Sequence, residues 1–376
     1  MNDVFLTGAT GTIGSALVPR LLQRADTRIW LLLRAPDATA AQARLAGMLR
    51  YWGLHPGEAS AQRLHLLHGD ITLPGFGLTS EMLATVSAEC SRIIHCAASV
   101  KLNMPMAQAR ATAVLPTRSL LALARRGAEL GRLKKVDLVS TVGVWGRTPG
   151  LMPERRLPEV SSFHNTYEAA KSEAERAVWE DGEGLPITVH RPSMVVGDRH
   201  TGRTMQFQVF YHLCEFLSGQ RTFGIIPDLG DKALDVIPVD WVADAIDWAS
   251  ERPETTGAIF HLCSGPAGAL PLRRLQQQVR AAWGQHGHRL PRLRPVPRAL
   301  LRALVPVIGT VAGATARRAL RALPPILAYL AEDQAFDNAH SARTFAAAGL
   351  PVPSVEDYLA PVLDYYLARR TAGAAS

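Results

Sequence analysis

Across the first two-thirds of the chain, short apolar runs alternate with longer stretches whose apolar positions recur at helical spacing. "DVFLT" (3–7), "RIWLLL" (28–33), "RLHLLH" (63–68), "RIIHCA" (92–97), "KVDLVS" (135–140) and "PITVHR" (186–191) predict strands. Between them, residues 12–24, 38–52, 106–127 and the segment "YEAAKSEAERAVW" from Tyr167 predict helices. Strands this uniformly apolar, separated by helices, imply a parallel sheet covered on both faces. After about residue 198 the rhythm breaks. "TMQFQVFYHLCEFL" (204–217) reads as a helix outside the sheet, whereas "LDVIPVDWVADAIDWA" (234–249) and "AIFHLCS" (258–264) return to it. From 266 onward the chain is helical, cut into short pieces by prolines from Pro291 to Pro325. The expectation is an α/β protein with a main domain over 1–203 and 234–265. A smaller, mainly helical lobe takes 204–233 and 266–376.

The 376 residues suit such a core plus lobe, and 47% hydrophobic with 20% charged residues fits a globular chain with a sizeable interior. Cys90, Cys96, Cys214 and Cys263 form no Cys-x-x-Cys pair, so neither a zinc site nor a disulfide frame is expected. With no secretory leader visible in "MNDVFLTGATG", the expected compartment is the cytoplasm. The net charge of +8 is dispersed and accompanies no nucleic-acid reading module, so nucleic acid is not an expected partner. Basic residues concentrate somewhat between Arg273 and Arg321. The apolar stretch 303–316 is too short to span a bilayer; it reads as a buried helix, a wall of a lipid-chain pocket or a peripheral membrane contact.

"VFLTGATGTIGSALV" places Gly8, Gly11 and Gly14 between a strand and a helix, the context a dinucleotide needs. Gly8 permits the turn, Gly11 the approach of a pyrophosphate and Gly14 close helix–strand packing; Thr10, Thr12 and Ile13 complete the loop. This makes the sheet a Rossmann-type, doubly wound one. At the end of the second strand, where an NAD site carries an acidic residue, stands Arg34, and Arg44 lies one helix further on. A guanidinium there would grip a 2′-phosphate, so the expected cofactor is NADPH. Asp70 and Ile71, in "HGDITLP", are placed for the adenine or for an ordinary Asp turn. Ala97 and Ala98 are small where backbone must pass close to the cofactor.

"NTYEAAKS" (165–172) sets a phenol four residues before an ammonium, either as an exposed helical pair or as an acid whose phenolate is favoured by the neighbouring cation. "LVSTVGVWG" puts Ser140 and Thr141 at the end of the fifth strand, where ligands of such sheets collect.

The order glycine loop, hydroxyl, tyrosine, lysine over roughly residues 3–265 resembles the extended short-chain dehydrogenase/reductase superfamily. The resemblance implies Tyr167 as general acid/base, Lys171 on the nicotinamide ribose, and Thr141, or else Ser140, orienting the carbonyl. Within the superfamily, "TGATGTIG", "LLLRAPDATAAQARL", "HGDITLPGFGL", "IIHCAASV", "STVGV", "HRPSMVVGD" and "LDVIPVDWVADAI" are most similar to reductases that convert acyl thioesters to aldehydes. These comprise fatty acyl-CoA reductases, terminal domains of carboxylic acid reductases, and release domains of peptide and polyketide synthetases. That likeness implies an acyl-CoA or acyl-carrier-protein substrate, an aldehyde or alcohol product, and Ser193 at the nicotinamide end. One position departs: extended members carry an asparagine where "ATAVLPTRSL" has Ala113. Rival readings are a reductase of a 3-oxoacyl or sterol-like ketone, a nucleotide-sugar epimerase, and an NADP-sensing regulator.

Arg34→Ala is expected to weaken NADPH binding by roughly 10–100-fold, the loss of one charged pair worth about 1.5–3 kcal/mol, while NADH binding changes little. Fluorescence titration with both dinucleotides checks this; equal losses would remove the argument for the 2′-phosphate.

Overall fold

The computed structural model describes residues 2–297 and 334–374. Seven strands form one parallel sheet: β1 (Asp3–Thr7), β2 (Ile29–Leu33), β3 (Leu64–His68), β4 (Cys90–His95), β5 (Lys135–Val139), β6 (Ile187–Pro192) and β7 (Ile259–Leu262). Their order across the sheet is 7-6-5-4-1-2-3. The winding reverses between β1 and β4, so a crevice opens there beyond the strands' carboxyl ends.

Along β1, Val4 and Leu6 point to one face and Phe5 to the other, as the pleat requires. On the first face they meet Leu17 and Leu21 of α1 (Thr12–Leu21), and Trp241 and Ile246 of a helix over Val239–Ser250. On the second face Phe5 shares a core with Leu120, Leu121 and Ala124 of the helix Met106–Glu129. Numbering the helices of nine or more residues among the described residues in chain order, α2 is Ala38–Trp52, α3 Ser80–Glu89, α4 Met106–Glu129, α5 Thr166–Asp181, α6 Val209–Leu217, α7 Val239–Ser250, α8 Leu272–Gln285, α9 Ala339–Ala347 and α10 Val355–Ala374.

A separate apolar core joins α6, α8 and α10 through Phe210, Leu213, Val279, Trp283, Tyr358 and Val362. Three features depart from the reading of the sequence. The helix expected over 204–217 starts only at Val209, because Gln208 is extended. Helix α9, within the stretch assigned to the lobe, packs on the main sheet instead; the Phe345 ring centroid lies 5.7 Å from Trp241 and 5.5 Å from Trp248. Immediately before it, Gln334–Phe336 pairs in parallel with Gly150–Met152. The stretch 303–316 and the basic residues from Arg298 to Arg321 lie outside the described residues; Arg292 and Arg294 are exposed. Among the described residues no helix is long and apolar enough to cross a membrane.

Helices α4 and α5 meet through an alanine seam of Ala109, Ala113, Ala170 and Ala174. Small side chains let the two backbones approach, which holds α5 close to the sheet. Ala174→Leu should therefore overpack the seam and cost ~1–3 kcal/mol. A lower urea midpoint at unchanged m would report it.

Candidate active site

The glycine loop is shaped by what cannot fit there. Gly8 has φ +81°, and a Cβ on it would fall 2.6 Å from the Ala97 nitrogen. On Gly14 a Cβ would fall 2.2 Å from the Gly8 carbonyl oxygen. The Gly11 amide donates to that same oxygen at 2.8 Å. Gly11 is also the residue that opens α1, and it offers no side-chain cap. The first amides of α1 are thus left to an anion. The hydroxyl of Thr7 lies 2.8 Å from His95 Nδ1 and accepts from the Ala97 amide at 3.3 Å, tying the ends of β1 and β4 together. This cradle fits a dinucleotide pyrophosphate.

At the outer end, Arg44 donates to the Arg34 carbonyl at 2.7 Å and to Thr10 Oγ1 at 2.8 Å. The Arg34 guanidinium is 67% exposed and 3.9 Å from Asp70. The Arg44 guanidinium therefore borders the glycine loop, and it also holds the backbone of Arg34. Asp70 uses Oδ1 to accept from both the amide and the hydroxyl of Thr72, at 2.8 Å each, the geometry of an Asp turn. Ile71 packs against the core beneath β1 and β4.

At the inner end a cavity of about 440 Å³ is lined by Gly11, Thr12, Ile13 and Gly14 on one side. Ala98, Ser140, Thr141, Tyr167, Lys171 and Ser193 line it too. Gly8, Thr10, Arg34, Arg44, Asp70, Ile71 and Ala97 do not line this cavity. The side chain of Asn165 accepts from the Glu168 amide at 3.0 Å, capping α5 and setting Tyr167 in its first turn. The hydroxyl of Thr166 donates to the carbonyls of Leu102 and Met104 at 3.1 and 2.8 Å, fastening the loop before α4 to the same turn.

The Thr141 hydroxyl lies near the phenol of Tyr167 and favours its ionised form. Burial outweighs this and pushes the phenol up to about 12. This reverses the direction expected of a cation one turn away. Lys171 instead donates to the Val139 carbonyl at 2.7 Å, and burial lowers its ammonium to about 8, with Glu175 and Cys96 opposing. Of the two hydroxyls after β5, Ser140 donates to Glu175 at 2.8 Å and is turned into the interior. Glu175 is paired there with Arg191, both side chains fully buried. Thr141 is the one that meets the phenol. Ala113 brings no polar group to this end; it is packed in the alanine seam, and Asn103 is exposed.

Four of the cavity residues that escaped the sequence reading are His164, Asp235, Gln334 and Phe336. His164 sits one turn from Glu168, and its Nδ1 lies 2.9 Å from the carboxylate; the four-residue spacing was a usable signal. Asp235 accepts from the Ser264 and Gly265 amides at 2.9 Å each, and burial raises its carboxyl to about 6. Gln334 donates to the carbonyls of Gly146 and Thr148 at 3.1 and 2.7 Å, and Phe336 follows it. No local pattern could place these last two, nearly two hundred residues downstream, beside Thr141.

The family described as male sterility protein, an NAD-binding family, matches residues 6–246. Over 264 residues the chain is 30% identical to an isonitrile lipopeptide synthase of Streptomyces coeruleorubidus, covering 69% of this chain and 17% of that protein. Over 283 residues it is 25% identical to fatty acyl-CoA reductase wat of Drosophila melanogaster, covering 65% and 53%. The terminal R domain from the myxalamid PKS-NRPS biosynthetic pathway superposes with a TM-score of 0.82 at 28% identity, over all of this chain and 91% of that one. This chain spans between 5% and 26% of the length of the peptide-synthesising relatives. A cradle for pyrophosphate, a tyrosine and lysine one turn apart beside it, and a match well beyond half the sequence lead to one conclusion: the chain belongs to the male sterility protein family and is an oxidoreductase of the extended short-chain dehydrogenase/reductase type.

Proposed function

We propose that this chain uses NADPH to reduce an acyl thioester, carried on CoA or on a carrier protein, to an aldehyde. The observation that carries the reading is the cavity lined together by Thr141, Tyr167, Lys171 and the glycines of the loop. The names of the relatives, a fatty acyl-CoA reductase and a terminal R domain, support the thioester class. The Arg44 guanidinium on Thr10 and the exposed Arg34 guanidinium, whose backbone carbonyl Arg44 also holds, support the 2′-phosphate. Where the substrate rides on a carrier, that carrier is an additional partner, and the exposed Arg292 and Arg294 are candidates to meet it or a CoA phosphate.

The bound nicotinamide supplies a hydride to the carbonyl carbon. The residues of this chain deal with the charge that follows. Negative charge grows on the carbonyl oxygen, which accepts hydrogen bonds from Thr141 and Tyr167. A phenol pushed up to about 12 stays protonated near neutral pH and keeps its proton available for that oxygen. Lys171, while charged, adds a positive field beside them. Carbon–sulphur cleavage then gives aldehyde and thiol.

Tyr167→Phe should lower kcat by ~10²–10⁴-fold while NADPH binds as before, measured by NADPH oxidation with octanoyl-CoA and by direct titration. Loss of dinucleotide binding instead would make Tyr167 a structural residue.

The amine of Lys171 faces Glu175, Cys96 and His95, the last held neutral by burial, which lowers it to about 3. Its charge is present below about pH 8 and lost above. The reductive kcat/KM should accordingly fall through a single proton loss near that pH, and Lys171→Met should abolish the inflection. A flat wild-type profile up to roughly pH 10, the ordinary lysine range, would remove the ammonium from the rate.

A further inference from the structure

The segment that leads into α6 is pinned at several points on its way to the glycine loop. A Cβ on Gly202 would fall 2.0 Å from the Pro361 carbonyl oxygen of α10. The Arg203 guanidinium sits 4.0 Å over the Tyr51 ring of α2. Phe207 packs against the core that joins α6, α8 and α10, its ring centroid 4.9 Å from Tyr211 and 4.8 Å from Tyr366. Gln208 follows, extended, at the start of α6. Its side chain makes no cap bond to its own helix. It reaches instead to the other end of the sequence, where Gln208 Nε2 donates to Thr12 Oγ1 at 3.2 Å.

Thr12 is the first residue of α1 and is buried. It lines the cavity together with Gly11, Ile13, Gly14 and Gln208. A hydroxyl has one hydrogen to give and two lone pairs that accept. One lone pair of Thr12 takes the Gln208 N–H, so the hydroxyl hydrogen points away from Gln208. Among the described residues no acceptor takes that hydrogen. A phosphate oxygen only accepts, and the amides that open α1 already suit an anion. A hydroxyl with a fixed, available hydrogen beside those amides adds one more donor. The bond it receives from Gln208 also polarises it toward donation.

We propose that Gln208 is a positioning residue of the dinucleotide site: by donating to Thr12 it directs the Thr12 hydroxyl hydrogen to the pyrophosphate. The second core, to which Phe207 belongs, thereby contributes to cofactor binding. The inference rests on the dinucleotide reading of the cradle and is independent of the thioester.

The test is a double-mutant cycle of Gln208→Met and Thr12→Val, read as dissociation constants of NADPH and NADH by fluorescence titration. Both replacements keep the size of the side chain and remove the hydrogen bond. Thr12→Val should weaken both dinucleotides by roughly 10–100-fold, the loss of a bond to a charged group. Gln208→Met should weaken both by about 3–10-fold alone, and by less than about twofold when Thr12→Val is already present. The pyrophosphate is common to the two dinucleotides, so their losses should match, unlike those of Arg34→Ala. Binding unchanged by either replacement, a Gln208→Met loss equal in both backgrounds, or a loss confined to NADPH would overturn the proposal. Should Gln208→Met not fold, Gln208→Glu keeps the length and accepts from Thr12 instead of donating. Its penalty on both dinucleotides must then shrink in the Thr12→Val background, and an undiminished penalty overturns the role equally. A wild type that binds neither dinucleotide takes down the cradle reading, and this role with it. A wild type that binds dinucleotide yet reduces no thioester sinks the function proposed above and not this role.

Discussion

The site depends on a backbone contact too close for any side chain. The turn after β1 runs against the end of β4, with the Gly8 position less than van der Waals distance from where a Cβ could stand beside Ala97. The start of α1 presses on the same turn from the other side, through Gly14. These approaches bring the amides at the helix N-terminus to the mouth of the crevice and set the place of everything else in it. Because β1 and β4 flank the reversal in sheet order, the crevice has helices on both sides and no strand to fill it.

Around that crevice, burial governs the ionisable groups more strongly than their neighbours do. Tyr167 is held protonated and the Lys171 ammonium is lowered to about 8, both by desolvation. The pair thus starts from a protonated phenol and an amine that gives up its charge near the working range. Association of an anionic dinucleotide with the crevice would favour the ammonium, which couples cofactor occupancy to the charge beside the phenol.

Behind the site runs a buried chain of contacts. Ser140 donates to Glu175, Glu175 pairs with Arg191, and Arg191 lies 3.2 Å from His261 Nε2. A guanidinium can only donate, so His261 accepts at Nε2 and donates from Nδ1 to the Asp337 carbonyl at 2.7 Å. Burial and the nearby guanidinium keep this imidazole neutral, its value lowered to about 3. The network reaches from the loop bearing Thr141 to the segment that enters α9. Glu154 closes the circuit, accepting the His261 amide at 3.0 Å and the His340 amide at 2.8 Å. Through Gln334, Ala335 and Phe336 the late segment thus forms part of the cavity wall.

The sequence by itself determined the strands, the phosphate cradle and the identity of Tyr167, Lys171 and Thr141 as candidates, because each depends on local spacing: period-two or helical patterning, glycines at a turn, a phenol and an amine one helical turn apart. It put Thr141 first with Ser140 as the alternative, and could not foresee that the Ser140 hydroxyl is taken up by the buried Glu175. It read Tyr167 as acidified by Lys171, whereas the enclosure of both groups, which no local window contains, set the opposite direction for the phenol. It could not bring Gln334 to the loop after Thr141, return α9 to the main sheet, or place Asp235 in the cavity wall. Those are contacts between residues far apart in the chain, and their energies arise from burial and hydrogen bonding that exist only once the sheet and its flanking layers have assembled.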